Sequence, residues 1–126
     1  MSKRMLAGIA VLALSASPLA AQEMKAASAG DERTITGQVI DVNCYMGMGA
    51  QGAAHKSCAE VCAKAGVQLA ILGNDGTIYA AVSSKPADPQ NAKLLSHAEG
   101  KVKVTGTHRF KNGLHTIEIK TIEAAT

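Results

Sequence analysis

The chain has 126 residues, with 13 Lys and Arg against 10 Asp and Glu, and it contains one Phe, two Tyr and no Trp. The nearly balanced charge and the scarcity of aromatic side chains exclude a typical nucleic-acid-binding surface, which needs a basic groove and stacking rings. The length supports one small domain, whose core must be built from Val, Ile, Leu and Ala.

The N-terminus has the pattern of a secretory signal peptide. Lys3 and Arg4 precede an apolar run over residues 5–14, and small residues follow at Ala20 and Ala21. The pattern predicts that residues 1–21 are removed and that the mature protein is periplasmic or secreted. The apolar run is too short to span a bilayer as a helix, so stable membrane insertion is not expected.

Residues 22–32 are small and polar without periodicity, which predicts a flexible N-terminal lead before a domain over residues 33–124. The chain has three cysteines. In an oxidising compartment an odd number means that at least one is unpaired, shared with another chain or held by a metal.

Residues 33–44 are rich in β-branched side chains and predict a long first strand. The apolar positions change parity between Val39 and Ile40. A bulge or a sharp bend in one strand would produce this change, and Gly37 makes such a bend easy. Cys44 is expected to end this strand, just before a glycine-rich loop.

Residues 53–65 predict a helix that ends at Gly66. At 100° per residue, His55, Cys58 and Cys62 fall within a wedge of about 60° and form one row. Charged side chains occupy the opposite face: Lys56, Glu60 and Lys64. The cysteine row is therefore expected to point at the protein.

The remaining segments predict two hairpins joined by a short helix. Residues 67–72 and 77–82 flank an Asn-Asp-Gly turn. Asp88 and Pro89 are expected to begin the helix, as N-cap and first residue. Residues 101–110 and 114–122 form the second hairpin. Its expected inward positions are Val102, Val104, Gly106, His108, Phe110, Ile117 and Ile119.

This order of elements predicts a mainly β fold, a five-stranded OB-fold-like barrel with a short helix between strands 3 and 4. A second helix, which carries cysteines, is inserted between strands 1 and 2. A long bent first strand suits this barrel, because strand 1 pairs at both of its ends.

Three features together resemble a group of small, mostly uncharacterised exported bacterial OB-fold-like proteins. They are the export signal, the pattern His55-x-x-Cys58-x-x-x-Cys62 after a strand ending in Cys44, and the closing Val102-x-Val104-x-Gly106. The architecture is also similar to that of periplasmic OB-fold copper chaperones. Those proteins bind Cu(I) through His, Met and Trp on barrel strands, whereas this chain has no Trp and carries its sulfur on an inserted helix.

The main functional hypothesis is a metal site formed by Cys44, His55, Cys58 and Cys62. Thiolates and imidazole are ligands of Zn(II) and Cu(I), and Met46 and Met48 provide additional soft donors. These methionines favour copper over zinc, although Met in a loop often only fills gaps. The expected role is metal delivery or sequestration, with another periplasmic protein as a candidate partner.

The leading alternative is a disulfide between Cys44 and one helix cysteine, with the third thiol buried. Cys58 and Cys62 are poorly placed to pair with each other, because their Cβ vectors run parallel on one helix. Inert core thiols are a third alternative. The disulfide would give a stapled module that binds a protein or a small ligand through its barrel face, without metal. The chain has no common catalytic motif, so an enzyme is not expected.

Overall fold

The computed structural model describes residues 30–126, so the predicted signal peptide and most of the predicted lead lie outside the described residues. Five strands form a closed barrel in the order β1-β2-β3-β5-β4, with β4 pairing back onto β1. The pair β3 and β5 is parallel, and the other pairs are antiparallel. The strands are β1 (Asp31–Asp41), β2 (Leu69–Gly73), β3 (Ile78–Ala81), β4 (Lys101–Lys111) and β5 (Leu114–Ala124). The predicted five-stranded OB-fold-like barrel is confirmed.

Strand β1 pairs at both ends, as expected for this barrel. Its C-terminal part pairs with β2 from Gly37 onward, and its N-terminal part pairs with β4 as far as Gln38. The two pairings overlap at Gly37 and Gln38. A Cβ atom on Gly37 would lie 2.2 Å from the carbonyl oxygen of Leu72. Glycine is required there because the neighbouring backbone comes so close.

The barrel interior is apolar, and it contains most of the inward positions predicted for the second hairpin. The fully or almost fully buried side chains include Val39, Leu69, Ile71, Leu94, Val102, Val104, Ile117 and Ile119. His108 is also buried, as predicted. The inward assignment of Phe110 is wrong, since this side chain is 60% exposed. Phe110 has the same parity along β4 as the buried Val102 and Val104. It is exposed because it pairs with His115 near the tip of the hairpin, beyond the core.

Two short helices, α1 (Val42–Met48) and α2 (Lys56–Lys64), connect β1 to β2, and a 3₁₀ turn, Ala53–His55, precedes α2. The prediction that Cys44 ends β1 is wrong, because the strand stops at Asp41 and Cys44 lies in the first turn of α1.

A third helix, α3 (Asn91–Leu94), lies between β3 and β4 and is followed by a 3₁₀ turn, Leu95–His97. Its N-cap is Gln90 and not Asp88, whose carboxylate instead accepts a hydrogen bond from the Ser83 hydroxyl. Among residues 30–126, no helix is long and apolar enough to cross a membrane.

Candidate metal centre

Asp41 fixes the position of Cys44. The side chain of Asp41 caps α1, and its Oδ1 accepts a hydrogen bond of 3.0 Å from the backbone N–H of Cys44. Helix α1 ends at Gly49, which has a φ of 68° and donates its N–H to the carbonyl oxygen of Tyr45. An Asp before the first turn and a left-handed Gly after the last are common helix signals. In the helix that these two residues delimit, Cys44 is buried and only 8% exposed.

Helix α2 contacts the barrel through its alanines rather than its cysteines. Ala59 and Ala63 are buried, Cys62 is half-buried and Cys58 is exposed. The expectation that the whole cysteine row points at the protein is therefore wrong. The small Ala side chains allow close packing against the barrel, so the adjacent row of sulfur atoms lies at the edge of the contact.

The structure brings His55 and all three cysteines to one place. The ligand atoms of Cys44, His55 and Cys58 lie within 4.8 Å of one another, and so do those of Asp41, Cys44 and Cys62. All three cysteines, which lie in the described part of the chain, are free. The four predicted donors thus form a cluster that could hold a metal, and Asp41 joins it as a donor that the sequence analysis missed.

Glu99 is a second residue that the sequence analysis missed. Its side chain has no exposed surface, and its Oε1 lies 2.9 Å from His55 Nδ1. The other oxygen, Oε2, accepts hydrogen bonds from the backbone N–H of Gly52 at 2.7 Å and from Gln38 Nε2 at 3.0 Å. Glu99 has a φ of 60°, and its N–H donates to the carbonyl oxygen of Val39 in β1. The barrel backbone therefore holds this carboxylate in place.

The contact with Glu99 defines how His55 presents its second ring nitrogen. Because a carboxylate oxygen accepts hydrogen bonds, Nδ1 of His55 donates to Glu99, and Nε2 is the ring nitrogen left to bind a metal. This Nε2 atom is buried and has no hydrogen-bond partner among the described residues. The side chain as a whole is 13% exposed. A His whose other nitrogen is held by a carboxylate is the usual arrangement of a metal ligand.

Two of the thiols, those of Cys44 and Cys62, have raised pKa values. Burial, followed by the nearby negative charge of Asp41, raises the pKa of Cys44. Its interaction with the Asp41 carboxylate, followed by burial, raises the pKa of Cys62 to about 12. Both thiols are therefore protonated at neutral pH, and a metal must displace these protons when it binds. The Oδ2 atom of Asp41 is buried without a hydrogen-bond partner among the described residues.

The remaining candidates from the sequence lie elsewhere. Met46 and Met48 are on the exposed side of α1, with 66% and 74% of their surface accessible. His108 donates or accepts at both nitrogens, 3.0 Å from Asp31 Oδ1 and 3.0 Å from His115 Nδ1. The buried position of His108 matches its predicted inward orientation.

Comparison of the chain with protein-family models, curated proteins and solved structures gave no match. The function must therefore be inferred from the chemistry of the cluster itself.

Proposed function

We propose that this protein binds a thiophilic metal ion, copper(I) or zinc(II), at the cluster of Cys44, His55, Cys58 and Cys62, and that it delivers or sequesters this metal outside the cytoplasm. The proposal of an extracytoplasmic role comes from the signal-peptide pattern of residues 1–21. No catalytic step is proposed, and the expected partner is an exported protein that gives or receives the metal.

The observation that carries the proposal is the state of His55. Its Nδ1 contacts the buried carboxylate of Glu99, while its buried Nε2 has no hydrogen-bond partner within residues 30–126. A buried polar atom without a partner costs about 1–3 kcal/mol. A metal ion shared with Cys44 and Cys58 would remove this cost, because one ring nitrogen of His55 and both sulfur atoms lie within 4.8 Å of one another.

The uneven exposure of the thiols supports exchange of the metal rather than a purely structural role. Structural zinc sites are closed by four protein ligands. Here Cys44 is buried, whereas Cys58 is exposed. An incoming thiol or methionine of a partner could therefore reach the ion from the side of Cys58. The exposed Met46 and Met48 on α1 are additional soft donors for such a transfer if the ion is copper(I).

Anaerobic titration of the metal-free protein with Cu(I) or Zn(II), followed by native mass spectrometry, tests the proposal. We expect stoichiometric metal binding by the wild type and at least tenfold weaker Zn(II) binding by His55→Ala. The loss should be smaller for Cu(I), which two or three sulfur atoms satisfy.

His97→Ala is the matched control, because His97 lies in neither donor group. It should bind metal like the wild type. A wild-type protein that takes up neither ion, or a His55→Ala variant with unchanged Zn(II) affinity, would contradict the proposed site.

A further inference from the structure

The cluster contains two donor groups, and Cys44 belongs to both. One group is Cys44, His55 and Cys58, and the other is Asp41, Cys44 and Cys62. From this geometry, and resting on the proposed metal-binding function, we infer that the protein binds two divalent ions of the zinc type, bridged by the thiolate of Cys44.

The distances within each group suit one ion. Around a tetrahedral zinc ion, with bonds of about 2.0–2.3 Å, two ligand atoms lie about 3.3–3.8 Å apart. The donor atoms of each group already lie within 4.8 Å of one another, so only a small contraction is needed. Each group supplies three protein ligands, and the fourth position of each ion is left for water or for a ligand of a partner.

Each group also contains one buried polar atom that has no hydrogen-bond partner in the part of the chain that the structure describes. In the first group it is His55 Nε2, and in the second it is Asp41 Oδ2. Oδ1 of Asp41 is already used to cap α1, and the residue has no exposed surface. One ion bound by Cys44, His55 and Cys58 would satisfy the first atom and leave the second unpaired. Two ions satisfy both.

The charges of the donors favour two divalent ions. Three thiolates and the carboxylate of Asp41 carry four negative charges together, which two divalent ions neutralise. One divalent ion at Cys44, His55 and Cys58 is neutralised by two thiolates, but it leaves Cys62 protonated and the buried carboxylate of Asp41 without a compensating charge. Two copper(I) ions would leave two of the four charges uncompensated. Uncompensated charge at a buried site is strongly unfavourable. Two-metal sites of other proteins hold their ions about 3.5–4 Å apart, a separation that one bridging atom allows.

The experiment counts ions in defined variants. Metal-free protein is titrated anaerobically with Zn(II), and native mass spectrometry gives the number bound. We expect two ions for the wild type and one each for Asp41→Asn, Cys62→Ser and His55→Gln. Cys44→Ser should bind neither ion tightly. Asn keeps an Oδ1 acceptor that can cap α1, so Asp41→Asn removes the second ligand with little change to the helix. Asp88→Asn, which removes a carboxylate from an exposed loop, should still bind two.

The alternative of a single site with four ligands gives a different pattern. In that case the wild type binds one ion, Cys62→Ser weakens that ion, and Asp41→Asn has no effect. One Zn(II) ion in the wild type therefore overturns the bridged pair but leaves the proposed function intact. No bound Zn(II) also overturns the bridged pair, and the proposed function falls with it only if the wild type takes up no Cu(I) either. Two ions in Asp41→Asn would exclude this carboxylate as a ligand and overturn the inference.

Two further measurements keep the test decisive. Circular dichroism of each metal-free variant shows whether it folds, and if Asp41→Asn does not, the count for Cys62→Ser decides. Cobalt(II) replaces zinc as a spectroscopic probe. A thiolate bridge couples two cobalt ions, so the electron paramagnetic resonance signal should grow with the first equivalent and fall with the second. A signal that doubles would show two independent ions and overturn the bridge.

Discussion

Replacing Glu99 by Gln should weaken metal binding although it replaces none of the proposed ligands. The Glu99 carboxylate faces three donors, with Oε1 toward His55 Nδ1 and Oε2 toward Gly52 N–H and Gln38 Nε2. A Gln side chain has nearly the same shape, but one of its two ends is an NH₂ donor. An NH₂ group at the position of Oε2 would lose the hydrogen bonds from Gly52 and Gln38. At the position of Oε1 it would lose only the hydrogen bond from His55. The variant should therefore direct its NH₂ group at His55.

This orientation reverses the tautomer of His55. A ring nitrogen that faces an NH₂ donor must accept, so Nδ1 loses its proton and Nε2 gains one. The lone pair that faces the thiols is then lost. Removal of such an outer partner of a metal-ligating His weakens metal binding by about 10–100-fold, which corresponds to about 1.4–2.7 kcal/mol. The metal-free protein should also lose about 1–3 kcal/mol of stability, because buried donors lose a charged acceptor.

Competition with a zinc chelator at fixed pH measures the affinity, and urea unfolding of the metal-free protein measures the stability. Nitrogen chemical shifts of the His55 ring report the tautomer directly. Glu60→Gln, on α2 but in neither donor group, is the control with the same change of charge and should keep wild-type affinity. An affinity of Glu99→Gln within about twofold of wild type, with His55→Ala clearly weakened, would refute the positioning role of Glu99.

Four further predictions concern the core, the pH dependence, the thiols and export. Val104 is fully buried, so Val104→Ala should cost about 2 kcal/mol in urea unfolding with metal present or absent, and a neutral result would refute its inward assignment. Burial, and then Asp75, raise the pKa of Tyr79 above its usual 10.0, so its contribution to stability is complete below pH 10 and is lost as the pH rises through the folded-state pKa. In Tyr45→Phe, which leaves Tyr79 as the one tyrosine, the phenolate absorbance should titrate above pH 10 in the folded protein and near pH 10 in denaturant; equal midpoints would contradict this. Thiol titration of the denatured, metal-free, unreduced protein should find three free thiols, and one free thiol would favour the disulfide alternative. Protein recovered from its source cell should begin at or near Gln22 and lie outside the cytoplasm, and a retained Met1 in the cytosol would remove the basis for the export argument.

The barrel was predictable because its strands follow simple periodicity. Val102 and Val104 alternate with charged residues, as expected for a strand with one buried face, and both are buried. Apolar parity failed at Cys44, because it continues unchanged from Ile40 although the backbone becomes helical after Asp41. The capping pattern of Asp41 and Gly49 was present in the sequence and would have indicated α1.

Glu99 could not be found from the sequence by the same reasoning. It is one acidic residue near the end of a short helix, without a motif or a partner at helical spacing. Its function depends on a contact with His55, 44 residues earlier in the chain. The exposure of Cys58 could not be predicted either. A helical wheel shows which residues share a face, but it does not show that the face with Ala59 and Ala63 is the one buried against the barrel.

The two buried carboxylates of the cluster are held by the same part of the barrel. Asp41 ends β1, and the backbone of Glu99 and Gly100 is hydrogen-bonded to Val39, two residues earlier in that strand. The cysteines and His55 lie on the inserted helices, whereas the apolar cluster of the core contains only Ala63 from the insertion. The barrel therefore has a core that does not depend on metal, unlike a zinc finger, which is unfolded without it. Under the proposed function, this arrangement lets the ligands on the insertion release an ion while Asp41, at the end of β1, and Glu99, hydrogen-bonded to β1, keep their places. The proposed delivery or sequestration then requires no unfolding of the barrel.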